Sequence, residues 1–469
     1  MTEAGPKAPA ASKPKTILVC TVGGSPEPIV KAIEKRRPDR VVFLCTAREG
    51  ETAGSDVQVL GPVPPPPPGR EAGYDPRPIP ERAGLAREAW EHRIVPVDDP
   101  DTVFWRAREL LRELRAGFPE AEIVADYTGG SKSMTAGLML AAVAEPGSIA
   151  IQFVSGARPD LVRVVSGTER PLSIAIDAIS AERSLADAER AFARFAYDEA
   201  AALLAPWAAS GAPRRTLPQA LFARLDRAHA LARAFAAWDR FAHGEALELL
   251  EPLSALPVIA ALRPALLALA ANAGRTALDG GRKRWLPPED PLLPLDIWHN
   301  ACRRAAQGRF DDAIARAYRV VEATVQWVLW AERRIDTYRV PKDAISPELF
   351  AELDRRRTGE PLKVPLEQGL DIVRHELREH WLTALLGPKE LSAKKSKQTD
   401  LMKRLSRWKE SRNQSILNHG FEPLGADEWE AVRGWMDAGL VPRLEAAAGA
   451  RGLRLSQLPT SLSGLTDGV

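Results

Sequence analysis

Two short apolar runs, residues 16–21 (TILVCT) and 122–127 (EIVADY), each break into a Gly/Ser loop followed by a helical stretch. This pairing constrains the chain more than any other feature. A continuous apolar run rich in β-branched residues is a strand buried on both faces, and such strands belong to parallel sheets covered by helices. Between the two lie a second run at 40–46 (RVVFLCT), a third at 93–97 and a helix over 101–115 capped by Asp101; a fifth run, SIAIQFVS, ends at Ser155. Strand and helix alternating at these lengths predict a mostly parallel, Rossmann-like sheet with helices on both faces. In such a sheet ligands bind beyond the C-terminal strand ends, at the switch point, which for the common strand order lies between the first and fourth strands. Both glycine loops follow those strands: Gly23-Gly24-Ser25-Pro26 before a helix over 28–37, and Thr128-Gly129-Gly130-Ser131-Lys132-Ser133 before a small-residue helix over 134–144. Glycines allow close backbone approach, and free N–H groups at a helix start attract an anion, so the pair predicts a phosphate site to which Ser131 and Lys132 add donors.

Familiar nucleotide loops do not fit. The first loop is not GxGxxG, and GSKS lacks the earlier glycine of a Walker loop. The strings TVGGSPEP and DYTGGSKSMTAG resemble instead the CARF domain, the Rossmann-like sensor of CRISPR-associated proteins that binds cyclic oligoadenylates at a two-fold dimer interface. The resemblance covers residues 15–180 and implies that Gly23, Gly24, Ser25, Thr128, Gly129, Gly130, Ser131, Lys132 and Ser155 form the ligand site. A Pro/Gly-rich insert at 61–84, with PPPPP inside it, departs from that family and reads as an exposed, semi-rigid loop.

From residue 181 the texture changes to Ala/Leu/Arg/Glu helices. FAYDEAAALL (195–204) and FAHGEALELL (241–250) agree at most positions, an echo of helical-hairpin repeats. Residues 181–285 are read as a helical connector, with a partner-binding groove of the tetratricopeptide type as the other reading. A linker at 280–294 leads to a bundle over 286–450 that holds a long amphipathic helix at 310–331 and a final helix at 427–440, with 451–469 as a C-terminal tail. Tryptophans 298, 327, 330, 381, 408, 429 and 435 gather here, as expected of core and dimer contacts.

Within the bundle, Leu401, Leu405 and Trp408 mark the inward stripe of a helix, and the same step lands on Arg412, Ile416 and His419. Seven residues span two turns, roughly 10 Å at about 20° from one azimuth, so a guanidinium and an imidazole can lean toward one spot. That spot suits a phosphodiester, with Arg412 holding non-bridging oxygens, His419 exchanging a proton and Asn413 orienting either partner. Gly420 and Pro423 also read as an ordinary helix stop. A basic run from Lys394 to Lys409 precedes the motif and is either a solvated face or a backbone guide. HELREH at 375–380 imitates a zinc helix, but its histidines are five apart and do not share a face, so no metal is expected.

The string RNQSILNHG resembles the HEPN ribonuclease motif, which implies Arg412, Asn413 and His419 as catalytic residues of metal-independent RNA cleavage by the ribose 2′-hydroxyl. Taken with the sensor loops, nearly the whole chain resembles the CARF–HEPN ribonucleases of type III CRISPR systems, closest to the Csm-type branch. The fold class is therefore α/β plus all-α: a Rossmann-like sensor, a helical connector and a HEPN-like bundle. The resemblance implies a homodimer without cofactor, activated by cyclic tetra- or hexa-adenylate and cutting single-stranded RNA. It leaves open whether the sensor also degrades its activator, with Thr128 and Lys132 as promoting groups.

Composition fits this reading. A formal net charge of +2 over 469 residues leaves nucleic-acid contact to local patches. Cys20, Cys45 and Cys302 show no ligand spacing, residues 1–14 read as a disordered tail, and no apolar run is long enough to span a bilayer, so a cytoplasmic protein is expected. The competing class is a non-enzymatic nucleotide-sensing regulator or scaffold with a helical partner-binding region. A helix-turn-helix would favour it, and none is found.

Overall fold

The computed structural model describes residues 14–48, 53–65, 74–145, 149–155, 170–174, 177–208, 217–273, 275–279, 282–354, 362–386 and 423–466. Contacts divide the chain into two compact units, with the boundary after Ser180.

The first unit is built on a six-stranded sheet of order β3-β2-β1-β4-β5-β6. β1 (Thr16–Thr21), β2 (Arg40–Cys45), β3 (Trp90–Ile94), β4 (Glu122–Asp126) and β5 (Ala150–Ser155) are mutually parallel, and β6 (Arg170–Ile174) is antiparallel to β5. Alternation along each strand divides the core in two. Ile17, Val19, Val42, Leu44 and Ile123 face the cluster of Val103, Leu111 and Leu138, whereas Leu18, Cys20, Val41, Phe43 and Val124 face Ile29, Val30, Ile33 and Ile79. One face is thus covered by α1 (Glu27–Arg36), the short α2 (Val57–Leu60) and α3 (Ile79–Arg82), and the other by α4 (Pro100–Gly117) and α5 (Lys132–Ala144). This is the doubly wound sheet expected, with its switch point between β1 and β4.

Several local expectations are corrected. The third strand lies three residues earlier than read, because Trp90 and not Arg93 opens the pairing with Val41. The cap of α4 is Asp99, whose carboxylate accepts from Thr102 N at 3.0 Å, and not Asp101, which sits in the first turn. The insert is not a free loop at its ends: Val63 and Ile79 are buried, and Tyr74 Oη donates to Val63 O at 2.8 Å. Its residues 66–73 and the tail 1–13 lie outside the described residues.

The second unit is helical. It contains α6 (Asp177–Ala193, entering from the boundary), α7 (Tyr197–Ala208), α8 (Gln219–Asp239), α9 (His243–Leu250), α10 (Pro257–Ala273), α11 (Leu292–Ala306), α12 (Phe310–Arg333), α13 (Pro347–Asp354), α14 (Leu366–Glu376) and α15 (Trp381–Leu386). α16 (Ala426–Trp435) runs through a π-helical turn, Met436–Leu440, into α17 (Val441–Gly449). The residues read as connector and as bundle therefore share one compact unit. Part of the supposed linker is an antiparallel pair, β7 (Thr276–Asp279) with β8 (Arg282–Trp285), for which Gly280-Gly281 between two short runs was the available signal. The supposed C-terminal tail is packed: Leu455, Leu458, Leu462 and Leu465 are buried. Trp298, Trp327 and Trp429 are core residues, the first and last stacked with centroids 5.4 Å apart; Trp330 and Trp381 are half-buried. α14 ends at Glu376, so His375 and His380 do not even share a helix.

Candidate functional site

At the switch point the two glycine loops close on each other because neither carries a side chain there. A Cβ on Gly23 would stand 2.7 Å from Gly130 N, one on Gly129 would stand 2.6 Å from Thr21 O, and one on Gly130 would stand 2.9 Å from Thr21 Cβ. Gly130 also takes φ +92°, a conformation that only glycine enters without strain. Thr21, the last residue of β1, ties the loops together by donating its hydroxyl to Gly129 O. Gly24, by contrast, has no atom within 4 Å of where its Cβ would be, and both it and Ser25 are exposed. The cradle is thus shut at its base and open at Gly24.

Ser131 is the N-cap of α5, accepting from Met134 N at 3.2 Å and donating to Val97 O at 2.5 Å. Its hydroxyl holds the loop in place, and the exposed Lys132, the first residue of α5, stands at the positive end of the helix. Thr128 enters the site already engaged: its hydroxyl accepts from Val154 N at 2.8 Å and bonds the Asp126 carboxylate. Ser155 is half-buried at the end of β5, paired with Arg170 of β6. The structure therefore brings Gly23, Gly129 and Gly130 into contact, sets Thr128, Ser131 and Lys132 along the second loop, and places Ser155 one strand further out.

Sequence reasoning missed the polar network beneath. Asp126 is fully buried at the end of β4, where Thr128 N donates to Oδ1 at 2.8 Å and Gln152 Nε2 to Oδ2 at 2.8 Å. Arg36 Nη1 continues the chain to Gln152 Oε1 at 3.1 Å, and Arg36 Nη2 reaches Glu122 at 2.5 Å. Burial raises the Asp126 carboxyl above its ordinary range, opposed by the Thr128 and Gln152 hydrogen bonds and by the Arg36 charge. The available signal was an acid and an amide, Asp126 and Gln152, inside otherwise apolar strands: such groups survive burial only when hydrogen-bonded.

Arg412, Asn413 and His419 lie outside the described residues, as does the basic run before them. The chain beyond the motif is anchored at Leu424, whose N–H donates to both oxygens of Asp311 in the first turn of α12 at 3.2 Å, and at Gly425, whose N–H donates to Glu428 at 3.0 Å. Among the described residues no group of three or more His, Cys, Asp or Glu could hold a metal ion, and no helix is long and apolar enough to cross a membrane.

Comparison with known proteins places this architecture. Residues 283–438 match the family model described as "Csm6 HEPN domain". No curated protein matches the chain in sequence. Among solved structures, Csm6 of Enterococcus italicus, bound to cyclic hexa-2′-fluoro-hexa-dAMP, superposes with a TM-score of 0.50 at 15% identity, covering 93% of this chain and 94% of that one. The C-terminal part of this chain is thus similar to the Csm6 HEPN domain over residues 283–438, and the chain as a whole shares its fold with that Csm6 structure.

Proposed function

We propose that the protein is a cyclic-oligoadenylate-activated, metal-independent endoribonuclease that cuts single-stranded RNA in the cytoplasm as part of type III CRISPR antiviral defence. The observation that carries the reading is the match of residues 283–438 to the Csm6 HEPN model, with Arg412, Asn413 and His419 inside the matched span. The glycine cradle supports the other half. A phosphodiester ring meets backbone N–H groups where the loops are bare at Gly24, and Ser25 and Lys132 stand exposed beside them.

In this account a homodimer binds one cyclic tetra- or hexa-adenylate across paired sensors, and the change is passed to two bundles that each give one Arg412 and one His419 to a shared cleft. Arg412 neutralises the phosphate, His419 moves the proton between the 2′-hydroxyl and the leaving oxygen, and Asn413 orients the imidazole. The attacking nucleophile belongs to the RNA, so the product carries a 2′,3′-cyclic phosphate and no metal-bound water is required. The test is a quenched-fluorophore single-stranded RNA assay in excess EDTA, with and without cyclic tetra- or hexa-adenylate. Cleavage that depends on the ring and persists in EDTA is expected; silence under both rings, or loss in EDTA, overturns the proposal.

A further inference from the structure

Three turns of the helical unit share one backbone geometry. At Phe195 (φ 58°), Phe241 (φ 63°) and Gly308 (φ 73°) a helix ends in a left-handed residue. In each, that residue's N–H bonds the carbonyl three back, the next N–H bonds the carbonyl five back, and a new helix starts two residues on, at Tyr197, His243 and Phe310. The pairs are Phe195 to Phe192 and Ala196 to Ala191, Phe241 to Trp238 and Ala242 to Ala237, and Gly308 to Ala305 and Arg309 to Arg304. The hairpin echoed twice in the sequence thus occurs three times among the described residues, and its third copy, α11–α12, lies inside the HEPN match.

The C-terminal segment 453–466 has no helix or strand, yet it is held along these hairpins as a bound peptide is held. Tyr197 Oη donates to Pro459 O at 2.8 Å, and Arg227 Nη1 to Thr466 O at 2.9 Å. Gln457 is gripped twice, its amide donating to His299 O at 3.0 Å and accepting from Arg303 Nη1 at 2.6 Å. The His299 ring bonds the Ser456 backbone. Main-chain groups of the segment are read by side chains of α7, α8 and α11, while its leucines at 455, 458, 462 and 465 are buried. That division, backbone bonds for affinity and spaced side chains for selectivity, is how grooves recognise extended peptides.

We propose that the helical hairpins form a peptide-binding groove and that the chain's own segment 453–466 occupies it in cis as an exchangeable ligand. The groove then selects a flexible segment with leucines three and four apart and a glutamine that can bridge a guanidinium and a carbonyl. This does not depend on the nuclease reading, since it concerns binding alone.

The turn Gly449–Gly452 is exposed, so a protease site inserted between Ala450 and Arg451 allows the full-length folded protein to be cut there. After cutting, the remainder is expected to keep its circular dichroism and cooperative melt, release the segment on dilution, and rebind a fluorescent synthetic peptide of residues 453–469 at 1:1. Leu458→Asp in the peptide should weaken binding about tenfold or more. Tyr197→Phe in the groove should weaken it severalfold. If cutting unfolds the helical unit, the segment is core and not ligand; if the cut protein stays folded but takes up no peptide, or takes up the leucine variant equally well, the groove is not selective. Either result overturns the proposal.

Discussion

Asp239, at the end of α8, holds together a charged cluster in the interior of the second unit. Its Oδ1 accepts from Arg303 Nε at 2.6 Å and Asn300 Nδ2 at 2.9 Å, and its Oδ2 from Arg304. Arg303 is 0% exposed, and its nearest other carboxylate, Asp296, is 3.9 Å away, beyond hydrogen-bond reach. Asp239→Ala would take the nearest carboxylate from two buried guanidiniums, leaving Arg303 with Gln457 as a hydrogen-bond partner and Asp296 3.9 Å away, and Arg304 without its ion pair to Asp239. Removing one partner of a buried ion pair costs about 3–5 kcal/mol, and since the Asp239 side chain keeps 16% of its surface, about 3 kcal/mol is the better figure. For a unit of this size, that lowers the melting midpoint by roughly 5 °C. Calorimetry on wild type, Asp239→Ala and Asp239→Asn reads it directly. The asparagine, which keeps the shape and loses the charge, should cost about half as much. The double variant Asp239→Ala/Arg303→Met should recover more than about 1 kcal/mol, because the more deeply buried of the two stranded charges goes with its partner. A fall of under about 2 °C for Asp239→Ala would refute the reasoning, since an orphaned guanidinium in that position cannot be so cheap.

Three further outcomes follow from the geometry. Gly23→Ala, whose Cβ would meet Gly130 N at 2.7 Å, should lower the melting midpoint of the first unit, whereas Gly24→Ala should leave it unchanged and weaken cyclic oligoadenylate binding by calorimetry, because its Cβ enters the open side of the cradle. Ser131→Ala removes the cap of α5 and the tie to Val97, a loss of about 1–2 kcal/mol measurable by urea titration. His299 is pushed down to about 4 by burial from an ordinary 6.5, so protons favour the unfolded chain between those values. Stability of the second unit should fall by up to about 3 kcal/mol as the pH drops from 6.5 to 4, and the difference between wild type and His299→Gln across that range isolates the contribution.

What could be read in advance follows from what each signal encodes. The parallel sheet was legible because strands buried on both faces need helices on both sides, and the switch point was expected from the common strand order, which the sheet follows. The antiparallel β6 was not, since Arg170–Ile174 (RPLSI) is short, opens on a charge and a proline, and is paired only through its neighbour β5. Ser131 and Lys132 read as loop residues ahead of a helix at 134, whereas Ser131 caps α5 and Lys132 opens it; the tie from Ser131 to Val97, thirty-four residues away, is one that no local pattern reveals. The C-terminal segment looked like a tail because its leucines follow no strand period and its backbone bonds go to side chains of distant helices. The third hairpin was hidden because a glycine stands where the first two copies have phenylalanine: the repeat is one of backbone shape more than of residues.

The central claim is that an imidazole in the C-terminal domain cuts RNA when the N-terminal sheet holds its ring-shaped activator. Initial rates of single-stranded RNA cleavage by wild type and His419→Ala, at saturating cyclic oligoadenylate and with activator binding measured on the same samples, test it most directly. The account predicts a rate lower by on the order of 10² to 10⁴ with activator affinity unchanged. Equal rates with intact activator binding would contradict it.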